Sequence, residues 1–333
     1  MGFKVNSNLV IENDQDVVLA NVVARYVSIS NTTPVGVFQG MAYGYCAGGT
    51  LGLTTVDRIA LSSGNQGGMG FVAQPIATVT EASSIRGDTA GFTAGTRQPT
   101  VGTQINKYPF SGDQPSTDVG DLDTARSSSA GTSSSTHGYA AGGYTSTPAT
   151  VRTSVIEKFP FAISASTSTS VGALTQTRHC APHGAVSGTH GYTLGGFAPP
   201  GSVATNRIDK YPFSADQDAT DVSDLPAATH GVSGISSFES AYGMGGTSPA
   251  FINTYSTFPF SSEGNAVNVG TLANNKGAMA TASSYWHGFV LGGALGTNSG
   301  TNIVEKFPYA SEGYAIDHTD LSIARFLSGG FQE

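Results

Sequence analysis

The side chains best suited to chemistry are seven histidines, two cysteines and several aspartate-rich stretches. His137, His190 and His287 hold one place in three copies of a recurring pattern, just before the glycine that opens an apolar run. A metal centre needs ligands that converge on one point. Equivalent places in successive copies of a repeat are spread apart, so a structural role is expected for all three. His179 and His183 flank Cys180 at a spacing that matches no ligand motif. Cys46 and Cys180 have unlike neighbourhoods and no CxxC occurs, so neither a disulfide framework nor a thiolate metal site is indicated. Asp113, Asp118 and Asp121, then Asp216, Asp218, Asp221 and Asp224, then Asp317 and Asp320, offer the oxygens a hard cation prefers. They lack the glycine-centred loop and closing glutamate of a dedicated calcium site, and aspartate is a common turn former. No phosphate-cradling loop, nucleophile elbow or His-Glu-x-x-His occurs, and Gly67-Gly68-Met69-Gly70 reads as a plain loop. No catalytic residue, cofactor site or metal site is expected.

One set of cations recurs. Arg126, Arg178, Lys276 and Arg325 each lie four residues after a leucine (Leu122, Leu174, Leu272, Leu321), with Thr229 in the same place after Leu225. Gathered around the mouth of a channel, they are candidate ligand contacts, because guanidinium grips carboxylate through two parallel hydrogen bonds. The competing reading is that each supports its own copy by pairing with local carbonyls or carboxylates.

The elements that position these residues repeat along the chain. An apolar run ends on paired glycines or their remnant six times: at residues 44–49, 91–96, 138–143, 191–196, 241–246 and 288–293. A second run, alternating apolar and charged, follows each one, as in Val155-Ile156-Glu157-Lys158-Phe159-Pro160-Phe161. This is the pattern of two antiparallel strands joined by a turn. Both series advance by roughly 49 residues, the spacing of propeller blades. With the leucine and basic landmarks, each copy holds four strands. Strand A follows the basic residue, B ends in the glycines, C ends in aromatic-Pro-Phe, and D ends near the leucine. The fold class is all-β, a six-bladed β-propeller of four-stranded antiparallel blades. Large residues such as Ile156, Phe159 and Phe161 are expected to pack between blades. Residues 322–331 read as one more A strand, closing the ring onto 44–49 and removing two sheet edges. Residues 35–39 are a rival donor.

Two domains are expected: an extended N-terminal β arm over 1–33 and the propeller over 34–333. The stretch from Phe3 to Ile11 alternates like a strand, Asn13-Asp14-Gln15-Asp16 reads as a turn, and a second apolar run spans 17–24. The segment is too short to bury a core of its own. Phe3, Val5, Leu9, Ile11, Val17 and Leu19 are the candidate attachment residues.

The formal net charge of −8 comes without any lysine or arginine cluster, which argues against a nucleic-acid partner. No run is apolar enough for membrane insertion, and the first residues lack a signal-peptide core and cleavage site. Asn31-Thr32-Thr33 fits a glycosylation acceptor, as many chance triplets do.

These landmarks resemble the kelch repeat: a basic residue opening the first strand, a strand ending in Gly-Gly, then an apolar-charged-aromatic strand. The resemblance covers about residues 34 to 333. Kelch blades usually carry a late tryptophan, whereas this chain has only Trp286, placed elsewhere in its copy, and aromatic-Pro-Phe stands in its stead. The variant resembles more closely the repeat arrays of virion and tail-fibre proteins of marine, cyanobacterial tailed bacteriophages, and the N-terminal segment is similar to phage attachment arms. That resemblance implies a non-enzymatic virion structural protein of tail or capsid, made in the host cytoplasm. Its propeller would serve for docking or display, with other virion proteins as partners and a homo-trimer as one arrangement. It implies, as the alternative, a receptor-binding module for a host glycan or surface protein. Sialidase Asp-box turns are missing, and nothing picks out the copper ligand set of galactose-oxidase-like kelch enzymes.

Overall fold

The computed structural model divides into two compact units, Met1–Thr33 and Pro34–Glu333. It describes residues 3–5, 9–11, 40, 42–50, 53–61, 69–73, 79–97, 100–112, 114–145, 151–179, 182–296 and 299–333. In the first unit Phe3–Val5 pairs antiparallel with Leu9–Ile11, Phe3 opposite Ile11 and Val5 opposite Leu9. The single strand expected there is therefore a hairpin, its halves separated by Asn6-Ser7-Asn8, residues of turn-forming type. Val17, Leu19, Asn31 and residues 35–39 lie outside the described residues.

The second unit is an all-β, six-bladed propeller with four-stranded antiparallel blades. In the order A to D, blade 1 is Gly329–Gln332, Tyr43–Ala47, Thr55–Ala60 and Met69–Ala73. Blade 2 is Ser83–Arg86, Ala90–Thr96, Gly102–Pro109 and Thr117–Asp121. Blade 3 is Ala130–Ser133, His137–Ala141, Val155–Pro160 and Thr169–Ala173. Blade 4 is Ala185–Val186, His190–Leu194, Arg207–Pro212 and Thr220–Asp224. Blade 5 is Ser233–Ser236, Ser240–Met244, Thr254–Pro259 and Val267–Thr271. Blade 6 is Ala280–Ser283, His287–Leu291, Ser299–Pro308 and Ile316–Arg325. The A strands neighbour one another in closed order around the axis. Among the described residues no helix is long and apolar enough to cross a membrane.

The ring closes through the C-terminal segment, but with shifted bounds. Residues 322–325 finish strand D of blade 6, and only Gly329–Gln332 pairs with Tyr43–Ala47, Phe331 opposite Tyr45. Strand D of blade 6 is ten residues long, with bulges in its pairing, and no polar break in its sequence marks its end.

Two features of the repeat join neighbouring blades. The aromatic residue after each proline stacks on a ring in strand B of the preceding blade: Phe161 on Phe92 at 5.2 Å, Phe213 on Tyr139 at 4.9 Å, Phe260 on Tyr192 at 5.1 Å. Such pairs contribute about 0.5–1.5 kcal/mol beyond their buried area. The paired glycines meet the next blade's backbone. Gly142 has φ 70°, and a Cβ there would lie 2.6 Å from the Arg178 carbonyl oxygen. Gly143 N–H then donates to that same carbonyl at 2.9 Å. Glycine is required both for the left-handed backbone and for the approach.

Candidate functional site

The recurring cations are not at a channel mouth. Arg126, Arg178, Arg325 and Lys276 are buried to 1% exposure or less. Each meets a carboxylate from strand C of the blade it opens: Arg126 with Glu157, Lys276 with Glu305, Arg178 with Asp209 at 3.3 Å, Arg325 with Asp57 at 3.2 Å. The carboxylate also caps the turn that arrives from the preceding blade. Glu157 accepts the N–H groups of Asp123 and Thr124, Asp209 that of Thr175, Asp57 that of Ser322, and Glu305 that of Ala273. Arg126 and Arg325 each donate further to backbone carbonyls of their blade, such as Val155 and Thr55, both at 2.9 Å. Burial lowers the pKa of Arg126 and of Lys276, and their glutamate partners oppose the shift. This arrangement ties each of these blades to the turn that arrives from the one before it.

Two blades lack the pair. The carbonyl that receives the glycine turn belongs to Val79 before blade 2 and to Thr229 before blade 5, so these hold the basic position. The strand C partners there are Asn106 and Ser256. Cation and anion are thus present together or absent together in every blade.

The channel is plugged from blade 4. Strand A of that blade is only two residues long, because Pro182 and His183 before it turn into the axis. The Pro182 carbonyl accepts from Ser84 N–H of blade 2 at 3.0 Å and from Gly131 N–H of blade 3 at 3.1 Å. The His183 carbonyl accepts from Gly234 N–H of blade 5 at 3.0 Å. The His183 ring reaches the far side, where Nε2–H donates to the Ser328 carbonyl next to blade 1 at 3.2 Å. Burial pushes the His183 pKa down to about 4. The remaining cavity is about 70 Å³, room for a few waters and far below a small-molecule site. Beyond the plug, backbone bonds run around the axis from Ser128 to Glu81, Leu327, Ala278 and Gly231, all in left-handed conformation.

On the glycine-turn face, rings from blades 3 to 5 form a stack. Tyr144 lies 4.1 Å from His179, His179 5.3 Å from Phe197, and Phe197 3.6 Å from His230. Arg152 covers Tyr144 and ties down the 197–204 loop through the Gly201 carbonyl and Ser202 Oγ. Burial, then the Arg152 charge, pushes His179 down to about 3, and burial pushes His230 to about 4. Both imidazoles are neutral near pH 7, and a general base needs a pKa near its working pH.

The opposite face carries the A–B turns, and here the copies diverge. A serine caps the turn in blades 3 to 6: Ser134, Ser187, Ser237 and Ser284 each accept the N–H three residues on, at 3.0–3.1 Å. The next two residues are Ser135-Thr136 in blade 3 and Gly188-Thr189 in blade 4. In blade 5 they are Phe238-Glu239 and in blade 6 Tyr285-Trp286. Phe238, Tyr285 and Trp286 are 51%, 61% and 68% exposed. Phe238 also borders an open groove of about 780 Å³ between blades 4 and 5. Ser187, Thr189, His190, Glu239 and the Lys210–Glu263 ion pair share its lining. His137 and His190 sit on separate blades of this face, each bonded to its neighbouring threonine at 2.8 Å. Among the described residues no group of three or more His, Cys, Asp or Glu gathers as a metal site. Asp118 bonds Gly120 N–H, Asp216 and Asp221 pair with Lys158 and Arg207, and Asp218 bonds Ala173 N–H, while Asp113 lies outside the described residues.

The aromatic turns went unread in the sequence, although aligning the copies on their capping serines exposes them. No protein-family model and no curated protein matches the chain.

Proposed function

We propose that the protein is a non-enzymatic binding and display module of a tailed-phage virion, held to a neighbouring virion protein by residues 1–33. The binding role rests on one observation: identical serine-capped turns carry small polar residues in blades 3 and 4 but exposed aromatics in blades 5 and 6. The turn does not need those rings, and exposed aromatic patches mark interaction surfaces. The phage setting rests on the likeness of the repeat to virion arrays. A propeller is a scaffold compatible with many functions, so the site carries the argument. Deleting residues 2–33 is expected to leave the β-sheet circular dichroism intact and to abolish incorporation into particles. Normal incorporation of the truncated chain would rule out the attachment role. The alternative, recognition of a host receptor, draws on the same exposed turns. It predicts that the isolated protein binds host cells.

A further inference from the structure

We infer that the aromatic turns of blades 5 and 6, with the adjoining groove between blades 4 and 5, form a saccharide site selective for neutral sugars. This rests on the reading of the propeller as a binding module and names its ligand class. Sugar rings present a C–H face that packs on aromatic rings and hydroxyl edges that need many hydrogen-bond partners. The surface offers both. Tyr285 and Trp286 meet edge to face, centroids 4.4 Å apart, on the equivalent turn of the next blade. The Phe238 ring then borders the groove, where Ser187, Thr189, Ser240 and Ser261 supply hydroxyls and Glu239 and Glu263 supply acceptors. A binding pocket of a few hundred Å³ holds a small ligand, and this groove exceeds that.

The charges set the selectivity. Lys210, the groove's cation, is paired with Glu263 across the blade boundary. The His190 pKa is lowered by burial and then by Lys210, so that ring is neutral near pH 7. Glu239 is exposed. The groove therefore carries a net negative charge within a chain of net charge −8. Sialylated, uronic-acid or phosphate-bearing glycans meet repulsion at short range, while neutral hexose and N-acetylhexosamine oligomers do not.

The test titrates the full chain with a panel of neutral and acidic oligosaccharides, observed by ligand NMR. Its comparison variants borrow turns from blades 3 and 4: Phe238→Gly in one, Tyr285→Ser with Trp286→Thr in the other. The capping serines stay, so the variants retain the fold. Wild type is expected to bind at least one neutral oligomer at Kd on the order of 1 mM or tighter, with each variant weaker by about tenfold or more. Acidic counterparts are expected to bind more weakly than the neutral ones. No binding of any neutral oligomer, equal binding by the variants, or preference for acidic sugars overturns the inference. Binding of cells or virion proteins is measured on the same variants. If wild type ignores sugars but captures a protein through these turns, the saccharide assignment falls and the module reading stands. If neither sugars nor partners distinguish wild type from the variants, both fall.

Discussion

Blades 3 and 2 solve the same joint in different ways. In blade 3 the turn from the previous blade is held by a buried Arg126–Glu157 pair. In blade 2 the same places hold Val79 and Asn106, and blade 5 likewise has Thr229 and Ser256. The backbone bond at the joint is kept: Gly49 N–H donates to the Val79 carbonyl at 2.9 Å, as Thr96 N–H does to the Arg126 carbonyl at 3.0 Å. The pair is therefore not needed to form a propeller joint. What is excluded is half of it. A buried charge without its partner costs several kcal/mol, while a neutral substitute for both is often harmless. The copies of the repeat within this one chain already contain that experiment.

The largest expected effect comes from breaking a pair. Glu157→Leu or Arg126→Met should destabilise the fold by about 3–5 kcal/mol in denaturant melts. Giving blade 3 the blade 2 combination, Arg126→Val with Glu157→Asn, should cost well under the sum of the singles, a coupling of about 2 kcal/mol or more. Strict additivity would refute the paired reading. In the reverse direction, Asn106→Asp in blade 2 buries a carboxylate opposite Val79 and should destabilise by about 3 kcal/mol, with Val79→Arg restoring part of the loss.

The plug gives a pH-dependent effect of similar or smaller size. His183 stays neutral in the fold down to about pH 4, whereas an ordinary imidazole takes its proton near 6.5. Between those values the unfolded chain binds more protons. The stability from neutral His183 is thus complete above pH 6.5 and is lost as pH falls towards 4. The loss is on the order of 3 kcal/mol. His183→Gln should flatten that part of the stability–pH curve relative to wild type. The smallest effect belongs to the aromatic turns, where Phe238→Gly and the Tyr285→Ser/Trp286→Thr exchange should move stability by about 0.5 kcal/mol or less. That contrast separates a ring kept for binding from a charge kept for folding.

The fold was legible because the copies carry their strand period and glycine turn in the same order, with an aromatic-Pro-aromatic end in five of the six. The basic positions were legible as landmarks. Their partners were harder to see, because Glu157 and Asp209 look like the polar half of an alternating strand C, and only burial shows that they face inward. Joint neutrality at Val79/Asn106 and Thr229/Ser256 is the signal that could have revealed the pairing. The plug was illegible: His183 and Ser328 are 145 residues apart, and no periodicity links them. The closing strand was found but misplaced by several residues, because strand D of blade 6 runs on through Ala324 and Arg325.

Blade 1 draws its inner strand from the far end of the sequence, Tyr45 and Glu333 touching across 288 positions. Such long-range pairing is slow to form, so refolding should leave blade 1 waiting with an open edge after the others have docked. A second copy present at high concentration can supply Gly329–Gln332 in place of the chain's own strand, giving exchanged dimers or open chains of discs. Dilution during renaturation should then favour the closed monomer.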